Sequence, residues 1–207
     1  MSSSPRSVYK TKARPELREI AQTILKKFPA RRRGFVVDIE GIIEDFGIDL
    51  IFRSMRGIPV EAYVPKAKEY IVVNQDYVYL HERYRFTLAE ELAHRILEFN
   101  LLHPKAQPIA LRRAEDFSEA EYQSMERNAK ALAAEILQPE DVYRERFAFH
   151  QERLRNEGVT AADALVKETV KAIARDFKVS VRSAAYRASV LRFITRRRFD
   201  LLFPIMF

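Results

Sequence analysis

Three residues of the segment Arg83-Tyr84-Arg85-Phe86-Thr87-Leu88-Ala89-Glu90-Glu91-Leu92-Ala93-His94 have the types and spacing to do chemistry. Residues four apart on a helix lie on one face about 5–6 Å apart, so Glu90 and His94 can converge on one ion. Glu91 sits one step round the same turn, beside such an ion. This is the spatial logic of an HExxH helix, in which two ligands one turn apart flank a glutamate that takes a proton from the attacking water. Here the first position is Glu90 rather than histidine. A third ligand has to come from another helix, leaving a fourth position open. Glu126 of Met125-Glu126-Arg127-Asn128-Ala129-Lys130-Ala131-Leu132 is the candidate, with Glu121 as the alternative. The plainer reading of the first helix is a pair of i,i+4 ion pairs, Glu91–Arg95 and Glu90–His94, on an exposed face.

The elements that must position these residues follow from periodicity. A helix is expected from Pro15, with Leu17, Ile20, Ala21, Ile24 and Leu25 on one face and Pro29 just past its end. Ile39, Ile42, Ile43 and Phe46 keep helical spacing, and Gly47 suits the left-handed residue that closes the turn. Residues 48–53, 61–64 and 69–73 read as short strands separated by turn formers. From Tyr84 the pattern is helical, over about 84–99, 118–137, 140–157, 160–177 and 180–198. Strands early and helices late predict an α+β fold with a small, mainly antiparallel sheet. The expected organisation is a basic flexible tail over 1–14, a domain carrying the site over 15–139, and a helical region over 140–207 packed on it.

With this frame in place the chain resembles the ImmA/IrrE metallopeptidases. Their sequences read RFTLAHELGH followed by E-x-x-AN-x-FA-x-x-LLMP; here RFTLAEELAH and ERNAKALAAEILQP stand in the same order. VDIEGIIEDFGIDLIF, EYIVVNQD and IARDFKVSVRSAAYRASVL match the family's style over roughly residues 15–195. The resemblance implies zinc held by His94 and Glu126, with Glu91 as general base and Glu90 in the place of the first histidine ligand. Lys130 stands for the usual asparagine and Leu132 for phenylalanine. A Glu90/His94/Glu126 set is harder and more anionic than a two-histidine site, which moves relative preference from zinc toward Mn²⁺ or Fe²⁺. The resemblance further implies an endopeptidase acting on a protein substrate such as a helix-turn-helix transcriptional repressor. The alternative is a non-catalytic regulator that binds a repressor or DNA, its metal site lost through Glu90.

Composition narrows the remaining classes. The chain has 207 residues, no cysteine and five glycines. This excludes disulfides, thiolate ligands and a thiol nucleophile, and leaves no glycine-rich phosphate loop. Charges interrupt every hydrophobic stretch, so no membrane-spanning helix is expected, and the basic start lacks the apolar run of a secretory signal. A cytoplasmic protein is the expectation. The net charge of +7 is uneven: residues 1–34 carry ten Lys/Arg against two acids, and 178–207 carry seven against one. Basic ends around an acidic body could meet nucleic acid. Phe177-Lys178-Val179-Ser180-Val181 reads as helix, turn, helix, with Arg182, Arg187 and Arg192 as candidate phosphate contacts. His103 reads as a loop residue, His150 as part of a helix surface, and the apolar end FDLLFPIMF as a partner contact or a segment that docks back.

Overall fold

The computed structural model describes residues 12–57, 61–63, 70–98, 102 and 118–204. Most of the expected basic tail, His103 and the last three residues lie outside this set. The first helix, α1 (Arg14–Lys27), has Pro15 in its first turn and buries Leu17, Ala21 and Ile24 against the core. Two short antiparallel strands follow, β1 (Arg32–Arg33) and β2 (Val36–Val37). Helix α2 (Ile39–Asp45) starts at Asp38, whose carboxylate accepts from the Gly41 amide at 3.1 Å. It closes as expected at Gly47 (φ 72°), where the Ile48 amide donates back to the Ile43 carbonyl. Arg31 braces this helix through a two-pronged pair with Asp45, both contacts 2.9 Å, and a 3.2 Å contact to Asp38.

Strands β3 (Asp49–Arg53), β4 (Ala62–Tyr63) and β5 (Tyr70–Asn74) form one sheet in the order β3-β5-β4. The β4–β5 and β1–β2 pairings are antiparallel, but the longest pairing, β3 with β5, is parallel. The reason is in β5 itself. Ile71, Val72 and Val73 are consecutive and all buried, so this strand needs cover on both faces and takes the central place.

Helix α3 (His81–Glu98) begins three residues earlier than its periodicity suggests. It packs against α4 (Glu119–Leu137) through small, fully buried residues, Ala89 and Ala93 on one side and Ala129 and Ala133 on the other. Small side chains at a helix crossing let the two axes approach closely, and this crossing carries the candidate site. Arg85 ties α3 to the rest of the fold, donating to the carbonyls of Val37 (2.9 Å) and Lys178 (3.2 Å).

The helical remainder is α5 (Glu140–Asn156), α6 (Ala162–Phe177), α7 (Val181–Val190) and α8 (Arg196–Leu202). One hydrophobic cluster runs from Leu17 to Phe203 and takes in residues of nearly every helix. Within it the Tyr143 ring stacks on Phe177 and Phe147, and its hydroxyl donates to the Ala184 carbonyl at 2.6 Å. The single helix expected over 180–198 is two helices. Arg192 takes a left-handed conformation (φ 65°), the Phe193 amide returns to the Ala188 carbonyl, and Thr195 then caps α8 by accepting from the Arg198 amide. The break lets Leu191 and Ile194 both reach the core. Phe199 and Phe203 dock back onto the body, while Leu201 is exposed. Among the described residues no helix is long and apolar enough to cross a membrane.

Candidate metal centre

The α3–α4 crossing brings Glu90, His94 and Glu126 together. One ligand atom from each lies within 4.8 Å of the others. Glu90 and His94 are one turn apart on α3, and Glu126 faces them from α4 with its Oε1 3.5 Å from His94 Nε2. Two donors each about 2.1 Å from an ion at the tetrahedral angle stand roughly 3.4 Å apart, so this separation suits a shared ion. All three side chains are partly buried, their relative exposures being 19%, 16% and 28%. The donor set, one imidazole and two carboxylates, is a recognised one for divalent metals.

Burial sets the electrostatics of Glu90. Desolvation pushes its carboxyl above the ordinary value, and the Glu126 charge adds to this, while Lys130 and His94 pull the other way. An uncompensated carboxylate at this position is costly, and a cation lowers the cost. Lys130, one turn beyond Glu126 on α4, supplies one. Its ammonium is 3.2 Å from Glu126 Oε2 and 3.6 Å from Glu90 Oε1. Although partial burial works against it, that ammonium is held above its ordinary range by Glu90 and Glu126. Tyr122, one turn before Glu126, stands near the same carboxylate, and the Glu126 charge pushes the phenol up. The sequence reading left out Tyr122 and took Lys130 only as a replacement for the usual asparagine. The signal was the i,i+4 series Tyr122, Glu126, Lys130, which puts all three on one face of α4.

Glu91 is half-buried on α3, one residue from Glu90 and three from His94. Glu121 has a different task. Its Oε2 accepts from the Ser118 amide (3.0 Å) and hydroxyl (2.9 Å), closing the capping box that starts α4. Helix α4 therefore begins at a fixed residue, and Glu126 stands two turns into it.

The arginines expected to meet phosphates behave differently. Arg187 is a correction: it is 3% exposed, its Nη2 lies 2.6 Å from Glu135 Oε2, and its Nε donates to the Gln138 carbonyl. Such a residue holds α7 to α4 and cannot reach a phosphate without unfolding that contact. Arg182 donates to the Phe203 carbonyl at 2.5 Å and lies over the Phe199 ring, so its guanidinium is engaged with α8. Arg192 is exposed at the left-handed turn. His150 is likewise not a surface residue. It is 4% exposed and its Nε2 sits 2.6 Å from Asp176 Oδ2, with Arg146 alongside.

Comparison with known proteins follows the same lines. The family model for peptidase M78, the IrrE N-terminal-like domain, matches residues 43–189, which include both helices of the site. No curated protein matches. Among solved structures, a Mycobacterium tuberculosis transcriptional regulator is similar at TM-score 0.56 and 17% identity, over 88% of this chain. The chain spans about half of that regulator, 49% of its length, and at this identity the likeness is one of fold.

Proposed function

The chain belongs to the peptidase M78 family, that of the IrrE N-terminal-like domain, and on that premise we propose that it is a metal-dependent endopeptidase acting on a protein substrate. The observation that carries this reading is the convergence of Glu90, His94 and Glu126 from two helices onto a space that fits one ion. A divalent ion bound there would supply Lewis-acid polarisation of the scissile carbonyl and ease deprotonation of the attacking water. Glu91 takes the water proton as the oxygen–carbon bond forms, then returns it to the amine nitrogen as the carbon–nitrogen bond breaks. The two-carboxylate donor set favours Mn²⁺ or Fe²⁺ relative to Zn²⁺. A segment of substrate in extended form, paired along an outer strand of the sheet, would set the register. A helix-turn-helix repressor is the substrate class in view.

A second reading, a regulator without catalysis that binds a repressor or DNA, is favoured by one observation. Lys130 already gives Glu90 and Glu126 a positive charge, so the two carboxylates can coexist without a metal.

Replacing Glu90 separates the readings. In Glu90→His a neutral imidazole replaces a carboxylate whose burial is costly and adds a softer donor. We expect the Zn²⁺ affinity relative to Mn²⁺ to rise by about tenfold or more in competition titrations. An unchanged ratio would remove Glu90 from the ligand set.

A further inference from the structure

The place of Lys130 between the two carboxylates has a consequence for how the site is filled. We infer that Lys130 is a built-in competitor for the metal: its ammonium holds Glu90 and Glu126 in the metal-free protein and must withdraw before an ion can take both. This rests on the reading of the cluster as a metal site.

Four features of the geometry support it. First, Lys130 Nζ reaches both carboxylates at once, 3.2 Å from Glu126 Oε2 and 3.6 Å from Glu90 Oε1. Those are two of the three residues able to ligate an ion. Second, the Glu126 carboxylate is divided, with Oε1 turned to His94 Nε2 at 3.5 Å and Oε2 to the ammonium. An ion seated between Glu126 Oε1 and His94 Nε2 therefore meets the ammonium on the other oxygen of that carboxylate and on Glu90 Oε1. Third, the two carboxylates come from different helices, Glu90 from α3 and Glu126 from α4, and the ammonium bridges them. It thereby relieves the repulsion between two like charges held on a partly buried crossing. Fourth, the Lys130 side chain is 56% exposed. Its four-carbon stem can carry the ammonium into water without disturbing the packed faces of α3 and α4. The fold thus holds one stable arrangement without metal, and exchange to the other requires only a side-chain rotation.

A divalent ion and the ammonium are both positive, so they exclude each other from this space. Binding must break two partly exposed ion pairs, each a modest contribution. Removing the ammonium is expected to tighten metal affinity by about tenfold, which corresponds to about 1.4 kcal/mol.

The test is a calorimetric titration of Mn²⁺ into the full chain, for the wild type, Lys130→Met, Lys130→Gln and Arg127→Gln. Arg127 lies beside Glu126 on α4, and its guanidinium donates to Ser124 Oγ. Its removal changes the local charge by the same amount without touching the bridge. The expected result is a tenfold gain in both Lys130 variants, little change in Arg127→Gln, and loss of the gain when His94→Ala is added. Equal Mn²⁺ affinity in wild type and the Lys130 variants would overturn the role of Lys130 and leave the metal site standing. The same gain in Arg127→Gln would also overturn it, reducing the effect to net charge. No binding in any of the folded proteins would overturn both the competitor and the metal reading beneath it.

Discussion

Replacing Arg187 by methionine is expected to lower the melting temperature by on the order of 10 °C. Arg187 and Glu135 are 3% and 2% exposed, with 2.6 Å between Nη2 and Oε2. Removing one partner of a buried pair leaves the other charge uncompensated, at a cost of about 3–5 kcal/mol. For a chain of this size each kcal/mol moves the midpoint by about 2–4 °C. The other cation near Glu135 Oε1, Arg14, stands 3.8 Å away on a side chain that is 38% exposed, so it compensates only in part. The double variant Glu135→Leu, Arg187→Met should recover most of the loss, because replacing both charges by apolar groups is often neutral. Thermal melts followed by circular dichroism decide this. A drop no larger than about 2 °C in the single variant would mean that solvent reaches the pair and that α7 is not anchored to α4 through it.

The second large effect concerns chemistry. Glu91→Gln keeps the shape of the side chain but cannot take a proton, so peptide hydrolysis should slow by about 10²–10⁴-fold. Metal affinity should stay near the wild-type value, since Glu91 is assigned to the proton and not to the ion. Cleavage of a proteome-derived peptide library by Mn²⁺-loaded protein, read by mass spectrometry, measures the first, and calorimetry the second. Full activity in Glu91→Gln would move the general base elsewhere. Loss of metal together with activity would make Glu91 a ligand. An absence of any cleavage by the loaded wild type would favour the regulator without catalysis.

Much of this arrangement is legible in the sequence, for reasons that are local. The faces of α1 and α2, the Gly47 turn and the helical pattern of α3 to α6 all follow from residue spacing within one element. The convergence of Glu90, His94 and Glu126 is half legible. The i,i+4 pair is fixed by α3 alone, but Glu126 comes from a helix whose approach depends on alanines facing alanines across the crossing. What escapes is set by tertiary partners. Arg187 lies in a run of arginines along α7 and α8, and only the place of Glu135 on another helix makes it a buried brace. His150 reads as exposed among its charged neighbours, yet Asp176 on α6 draws it inward. The parallel β3–β5 pairing depends on which strand occupies the centre, which short runs do not reveal. Lys130 reads only as a replacement for asparagine until the crossing sets two carboxylates within its reach.

On the proposed reading, Glu90, His94 and Glu126 form one metal site. Its most direct test is the metal stoichiometry of the purified chain after stripping with chelator and reloading with Mn²⁺, Zn²⁺ or Fe²⁺, set beside His94→Ala and Glu126→Ala. Close to one equivalent is expected in the wild type and none retained by either variant, with both variants still folded. A wild type that retains no metal, or variants that retain as much as the wild type, would contradict it.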